Sequence, residues 1–145
     1  MKRGLALAVA LTAACGGSSS NRLANFEGAA WNASVTYTAT CPAPIGTQSV
    51  SRTEAITFVA GSGADLQFTS PEGCVYKLNV SGNTATLANA PVSCTVNVNG
   101  IIGVVSWTSF TATTSDGHYL TINSAGSATN GAITCSFTES GSATR

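Results

Sequence analysis

The chain has 145 residues, enough for one domain with a real core and too few for two comfortable ones. Six basic and six acidic residues cancel, and only 8% of positions are charged. No basic patch of the size that grips a phosphate backbone can be assembled, so nucleic acid is not an expected partner. Alternating apolar residues and five cysteines argue for a packed fold rather than disorder.

Residues 1–14 read as an export signal. Lys2 and Arg3 make a positive start, Leu5 to Leu11 is apolar, and Thr12, Ala13 and Ala14 place small side chains before Cys15. The apolar run is about half of what a membrane-spanning helix needs. Leu11-Thr12-Ala13-Ala14-Cys15 resembles the lipobox of bacterial lipoproteins, departing from it at Thr12, where that family most often has leucine. The resemblance implies that the leader is cut before Cys15. It also implies lipidation of Cys15, with two acyl chains on the thiol side and a third, palmitate-like chain on the new amino group. The alternative is an ordinary secretory signal with an incidental cysteine. Cysteine arithmetic favours the anchor: of Cys15, Cys41, Cys74, Cys94 and Cys135, one must stay unpaired, and lipidation accounts for it. Losing Lys2 and Arg3 leaves four basic against six acidic residues, a formal charge of −2. Gly16 stands where lipoproteins held at the inner membrane often carry aspartate, so the resemblance implies the outer membrane of the cell envelope; a secreted or periplasmic protein is the alternative. Three acyl chains would make the membrane a permanent partner. Residues 15–25, with the run Gly16 to Asn21, form a flexible tether, and residues 26–145 form a single domain.

Leu23 to Gly28 is either one helical turn plugging the end of a barrel or extended linker. Trp31 to Thr40 then alternates Trp, Ala, Val, Tyr and Ala with Asn, Ser and Thr, the period of a half-buried strand. Two prolines and Gly46 make Cys41 to Gly46 a loop. Further strands are expected over Ser49 to Ala60, Asp65 to Thr69, Cys74 to Val80 and Thr84 to Leu87. Beyond Pro91 they are expected over Val92 to Asn99, Val104 to Thr113, His118 to Asn123 and Gly131 to Glu139. Turns fall at Gly61 to Gly63, Ser70 to Gly73, Ser81 to Asn83, Asn99-Gly100 and Asp116-Gly117. Ser124 to Asn130 reads as a loop of small residues, and Ser140 to Arg145 as a continuation of the last strand or a frayed end. The fold class is all-β: an antiparallel up-and-down β-barrel of eight or nine strands, with a two-sheet β-sandwich as the alternative.

Register arithmetic favours the barrel. In an antiparallel pair, opposed residue numbers add to a constant. Cys41 with Cys135 and Trp31 with Arg145 give the same constant, so one register closes a disulfide and sets a cation over an indole. Gly28-Ala29-Ala30-Trp31, opening the first long strand, is similar to the Gly-x-Trp opening of the calycin barrels, the lipocalins, avidins and fatty-acid-binding proteins, with one extra residue. In those folds a basic side chain late in the last strand packs across the tryptophan, a role the resemblance gives to Arg145. The remaining pair would be Cys74–Cys94, although four cysteines allow three pairings.

The search for chemistry yields little. His118 is the lone histidine and sits at a turn edge; the cysteines are too far apart for a metal cluster. No phosphate loop, nucleophile elbow or paired-carboxylate motif is present. No cofactor and no catalysis are expected. Val50, Arg52, Glu54, Ile56 and Phe58 share one strand face, so Arg52 and Glu54 either meet a ligand's polar head at a barrel mouth or lie on a bulge or solvent-exposed strand end. Trp107 and Phe110, three apart, are expected on opposite faces. The function implied is a monomeric, non-catalytic calycin-like binding domain of a cell-envelope lipoprotein, holding a small apolar ligand. The alternatives are a structural or interaction lipoprotein with a filled barrel, and an inhibitor of secreted proteases acting through the Cys41 to Gly46 loop. A continuous apolar cavity of roughly 300 Å³ or more would favour the first.

Overall fold

The computed structural model describes residues 23–98 and 101–145. Cys15, the leader, the tether up to residue 22 and the Asn99-Gly100 turn lie outside the described residues. Ten strands form one antiparallel sheet: β1 (Trp31–Thr40), β2 (Thr47–Ile56), β3 (Val59–Ala60), β4 (Leu66–Thr69), β5 (Val75–Ser81), β6 (Thr84–Leu87), β7 (Val92–Val98), β8 (Ile101–Thr113), β9 (Tyr119–Asn130) and β10 (Ile133–Thr144). The sheet order is β2-β1-β10-β9-β8-β6-β5-β4-β3, with β7 on the far part of β8.

The two ends of that path, β2 and β3, are neighbours in the chain, separated by Thr57 and Phe58. β6 and β7 likewise follow one another and pair with different parts of β8. Counting each bent pair once gives eight strands curled around a single interior, a barrel-like wall rather than two stacked sheets. The seam between β2 and β3 is chain continuity, not a ladder. The expected unbroken strand from Ser49 to Ala60 is therefore interrupted, because the same backbone must serve both ends of the sheet.

Alternation in β1 sorts its side chains. Trp31, Ala33 and Val35 are buried, while the residues between them carry hydroxyls or amides outward. β1 pairs with β10 from Asn32↔Thr144 to Thr40↔Ser136 without a bulge. That register places Cys41 against Cys135, and the two are bonded; Cys74 is bonded to Cys94.

At the end of the barrel where the chain enters, Leu23 to Phe26 make one helical turn. The amides of Phe26 and Glu27 both donate to the Leu23 carbonyl at 2.9 Å. Phe26 is fully buried and plugs this end, and the Trp31 indole N–H donates to its carbonyl at 2.9 Å. Arg145 lies across Trp31, 4.3 Å from the ring centre, and its guanidinium donates to the carbonyls of Ala24, Asn25, Phe26, Glu27 and Gly117.

Two sequence expectations fail for packing reasons. Ser124 to Asn130 is not a loop: β9 runs through it to Asn130, paired on both sides. Its residues are small because aromatics fill the space opposite. A Cβ on Gly126 would meet the Ser106 carbonyl oxygen and the Phe137 ring. Trp107 and Phe110 do not lie on opposite faces: the β8–β9 register shifts between Trp107 and Ser109, and the extra residue turns both aromatics inward, to 7% and 4% exposure. The C-terminal residues from Ser140 continue β10 without fraying.

Candidate functional site

Up the barrel from Trp31, the inward face changes character. The lower layer is mainly apolar, with Ile56, Leu66, Leu78, Ala85, Leu120 and Ala143 buried. Above it, inward positions on five adjacent elements carry polar groups. β2 contributes Arg52 and Glu54, β1 Tyr37, β10 Glu139, β9 Ser124, and the β4–β5 turn Glu72. The alternation that buries Ile56 turns Glu54 and Arg52 to the same side, so they lie at the mouth and not on a bulge. Beyond this belt the two disulfides hold the rim: Cys41–Cys135 ties the end of β1 to β10, and Cys74–Cys94 ties the β4–β5 turn to β7.

Arg52 organises the belt. Its Nη1 donates to Glu72 Oε1 at 2.7 Å and its Nη2 to the Tyr37 hydroxyl at 2.8 Å, with the guanidinium carbon 4.5 Å from the Tyr37 ring centre. The Ser124 hydroxyl donates to Glu139 Oε2 at 2.6 Å. Hydrogen bonds thus link Glu72, Arg52 and Tyr37, and a separate one joins Ser124 to Glu139. Glu54 stands beside them. Its Oε2 lies 2.9 Å from Arg52 Nη2, an ion-pair contact without hydrogen-bond geometry, so this buried oxygen has no hydrogen-bond partner. Arg52 Nε is also buried and unpaired.

The electrostatics follow from this uneven pairing. Burial pushes the Glu54 carboxyl above its usual value; Arg52 opposes that shift without cancelling it, and Glu139 adds to it. For Glu72 burial acts in the same direction, but the hydrogen bond from Arg52 overrides it and holds the carboxyl below its usual value. Burial would weaken the charge on Arg52, yet Glu72, Tyr37 and Glu54 raise it further. Burial, with Glu139 adding, drives the Tyr37 hydroxyl well above the phenol range, and burial does the same to Tyr76. Both phenols therefore remain hydrogen-bond donors.

Little space is left beside the belt. The space left beside the belt is about 20 Å³, bordered by Tyr37, Glu54, Tyr76, Trp107, Phe110 and Glu139, among others. That is room for one water-sized group. Stacked and edge-on rings occupy the rest: Phe68 on Tyr76 with centroids 4.4 Å apart, Tyr76 on Trp107 at 5.0 Å and Trp107 on Phe137 at 5.6 Å. Further towards the rim, the inner faces of β7 to β10 leave an open depression of about 200 Å³, lined by Val96, Val105, Ala128, Ile133 and Cys135.

The residues singled out from the sequence fall into two groups. Arg52 and Glu54 are together at the mouth. Trp31 and Arg145 are together at the opposite end, where Arg145 is committed to backbone carbonyls. His118 is exposed in the Asp116-Gly117 turn, its amide bonded to Asp116 Oδ1 at 2.9 Å. Sequence reasoning missed Glu139, Glu72, Tyr37 and Ser124 as site residues. Glu139 carried a usable signal, since it continues the inward face of Cys135 and Phe137. Ser124 was concealed within the supposed loop, and the reach of Glu72 to Arg52 depends on tertiary structure alone. Among the described residues no three His, Cys, Asp or Glu side chains converge as a metal ion requires, and no helix is long and apolar enough to cross a membrane. No family model, curated protein or solved structure matches the chain.

Proposed function

We propose that this protein is a lipid-anchored binding module of the bacterial cell envelope, a non-catalytic calycin-like barrel that meets its partner at the charged mouth. The observation that carries this reading is the filled interior. About 20 Å³ remains beside Arg52 and Glu54, whereas a pocket for a drug-sized apolar ligand needs roughly 300 Å³ or more. An apolar guest inside the barrel therefore gives way to recognition at the rim, the interaction role that was the second of the three weighed from the sequence. The disulfides are compatible with an oxidising, extracytoplasmic compartment. With Cys15 acylated and the tether joined at Leu23, the mouth would face away from the membrane, because β1 rises from the Leu23–Phe26 end towards Cys41. The Cys41 to Gly46 loop supports protease inhibition as a second reading: two backbone hydrogen bonds brace it, and Ile45 is 42% exposed at its tip.

Photo-crosslinking in the protein's own host tests the first reading. A photoreactive residue replacing Gln48 at the rim should capture a partner, and one replacing Tyr119 at the other end should not. Equal capture at both ends, or capture at Tyr119 alone, would contradict it. In the same cells, the Cys15→Ala variant should leave the membrane fraction.

A further inference from the structure

The mouth contains more negative charge than its one guanidinium can compensate. Arg52 hydrogen-bonds Glu72 and Tyr37 and makes an ion-pair contact with Glu54, and Glu139 takes a hydrogen bond from Ser124. The Glu54 side chain is only 10% exposed, its Oε2 has no hydrogen-bond partner, and it borders the water-sized space beside the belt. A buried carboxylate oxygen in that condition calls for a donor. The opposite walls of the space are the rings of Tyr76, Trp107 and Phe110, whose faces attract cations.

Resting on the proposed binding role of this mouth, we propose that the space receives the primary ammonium group of a small aliphatic amine, hydrogen-bonded to Glu54 and set against the rings of Tyr76 and Trp107. Size selects the head group. About 20 Å³ admits an –NH3+ and excludes a trimethylammonium or a guanidinium. Charge selects the sign, with three carboxylates, Glu54, Glu72 and Glu139, around one arginine. The stem has an apolar surface nearby. Two residue pairs beyond Trp107↔Gly126, on the same face, lies Val105↔Ala128, part of the lining of the apolar depression of about 200 Å³ at the rim. An alkyl chain can lie there while its amine reaches the belt. The same chemistry is available from a free alkylamine and from an amino-headed lipid.

The groups around Glu54 set the pH dependence. Arg52 from β2, Tyr37 from β1, Glu139 from β10, Glu72 from the β4–β5 turn and Tyr76 from β5 all border the space. Burial already favours the protonated form of Glu54. Acidification therefore fills its lone pairs with a proton and weakens amine binding.

The test is a titration of the folded, disulfide-bonded protein, followed by the Trp107 indole resonance. Octylamine should shift that resonance at neutral to mildly alkaline pH, and octyltrimethylammonium and octanoate should not. Glu54→Gln, which removes a poorly compensated buried charge and keeps the side-chain shape, should weaken octylamine binding by about tenfold or more. Glu139→Gln, placed across the space, should weaken it less. Phosphatidylethanolamine vesicles, compared with phosphatidylcholine vesicles, separate a lipid head group from a free amine as the source. Absence of an octylamine shift at millimolar concentration, equal binding of the trimethyl analogue, or unchanged affinity in Glu54→Gln would overturn the proposal. A rim crosslink at Gln48 without amine binding would sink this inference and leave the binding role standing.

Discussion

Single side chains carry unequal burdens in this fold, and Arg145 illustrates it. One guanidinium satisfies carbonyls from the entry turn and from the β8–β9 turn while covering Trp31. Arg145→Ala should lower unfolding stability by about 2–4 kcal/mol, read from denaturant midpoints. Arg145→Lys should recover only part, since an ammonium cannot fork among several carbonyls. Glu54 and Glu72 should respond to pH in opposite senses. Glu72 is held below its usual value of 4.5, so it contributes stability that is present above that pH and lost as pH falls through its folded value. Glu54 is held above 4.5, so the wild type gains on a Glu54→Gln variant as pH falls from above the raised value towards 4.5. Stability profiles of Glu54→Gln and Glu72→Gln against the wild type should therefore diverge with opposite slopes. Parallel profiles would contradict the assignment of paired and unpaired carboxylates.

At the scale of elements, the bulge in β8 decides what the barrel encloses. The register slip between Trp107 and Ser109 adds a residue, Thr108, without an opposite number on β9, which lets both Trp107 and Phe110 point inward. Deleting Thr108 would leave the two aromatics two positions apart, where plain alternation turns both inward, so the aromatic core should survive with a loss of about 0.5–3 kcal/mol. Near-ultraviolet circular dichroism and denaturant midpoints would report it. Gly126 faces the same aromatics, and Gly126→Val should prevent closure of β9 on β8 and β10, because its Cβ meets the Ser106 carbonyl and the Phe137 ring. These are also the places where sequence was least legible. Period 2 identified β1 and β5 closely, and the Ser81 to Asn83 turn gave β6 its limits. A bulge leaves no mark in composition, and a run of Ser, Ala, Gly and Thr looks like a loop unless the aromatics it accommodates are known. The charged belt was half visible: Arg52 and Glu54 declared themselves by sharing a face with Ile56 and Phe58, whereas Glu72 and Ser124 became neighbours only through the turn and the sheet.

For the whole molecule, two covalent staples close loops of different length around one core. Cys41 and Cys135 are 94 residues apart, and Cys74 and Cys94 are 20 apart. In the chain-entropy account, removing the first by a Cys41→Ala/Cys135→Ala pair should cost about 4–5 kcal/mol, and the second about 3 kcal/mol. Equilibrium unfolding of the two double variants would rank them. The register that joined Cys41 to Cys135 was readable because an antiparallel pair without a bulge leaves only one free number, and β1 against β10 has no bulge. Whether the barrel held a cavity was not readable, because volume depends on how rings such as Tyr76, Phe68 and Trp107 stack.

Native mass spectrometry of the protein purified from its own host cells bears most directly on the filled barrel. The expected spectrum shows a chain with two disulfides and no apolar passenger that travels at one-to-one ratio and departs on denaturation. A stoichiometric hydrophobic molecule retained by the folded protein and lost on unfolding would contradict it.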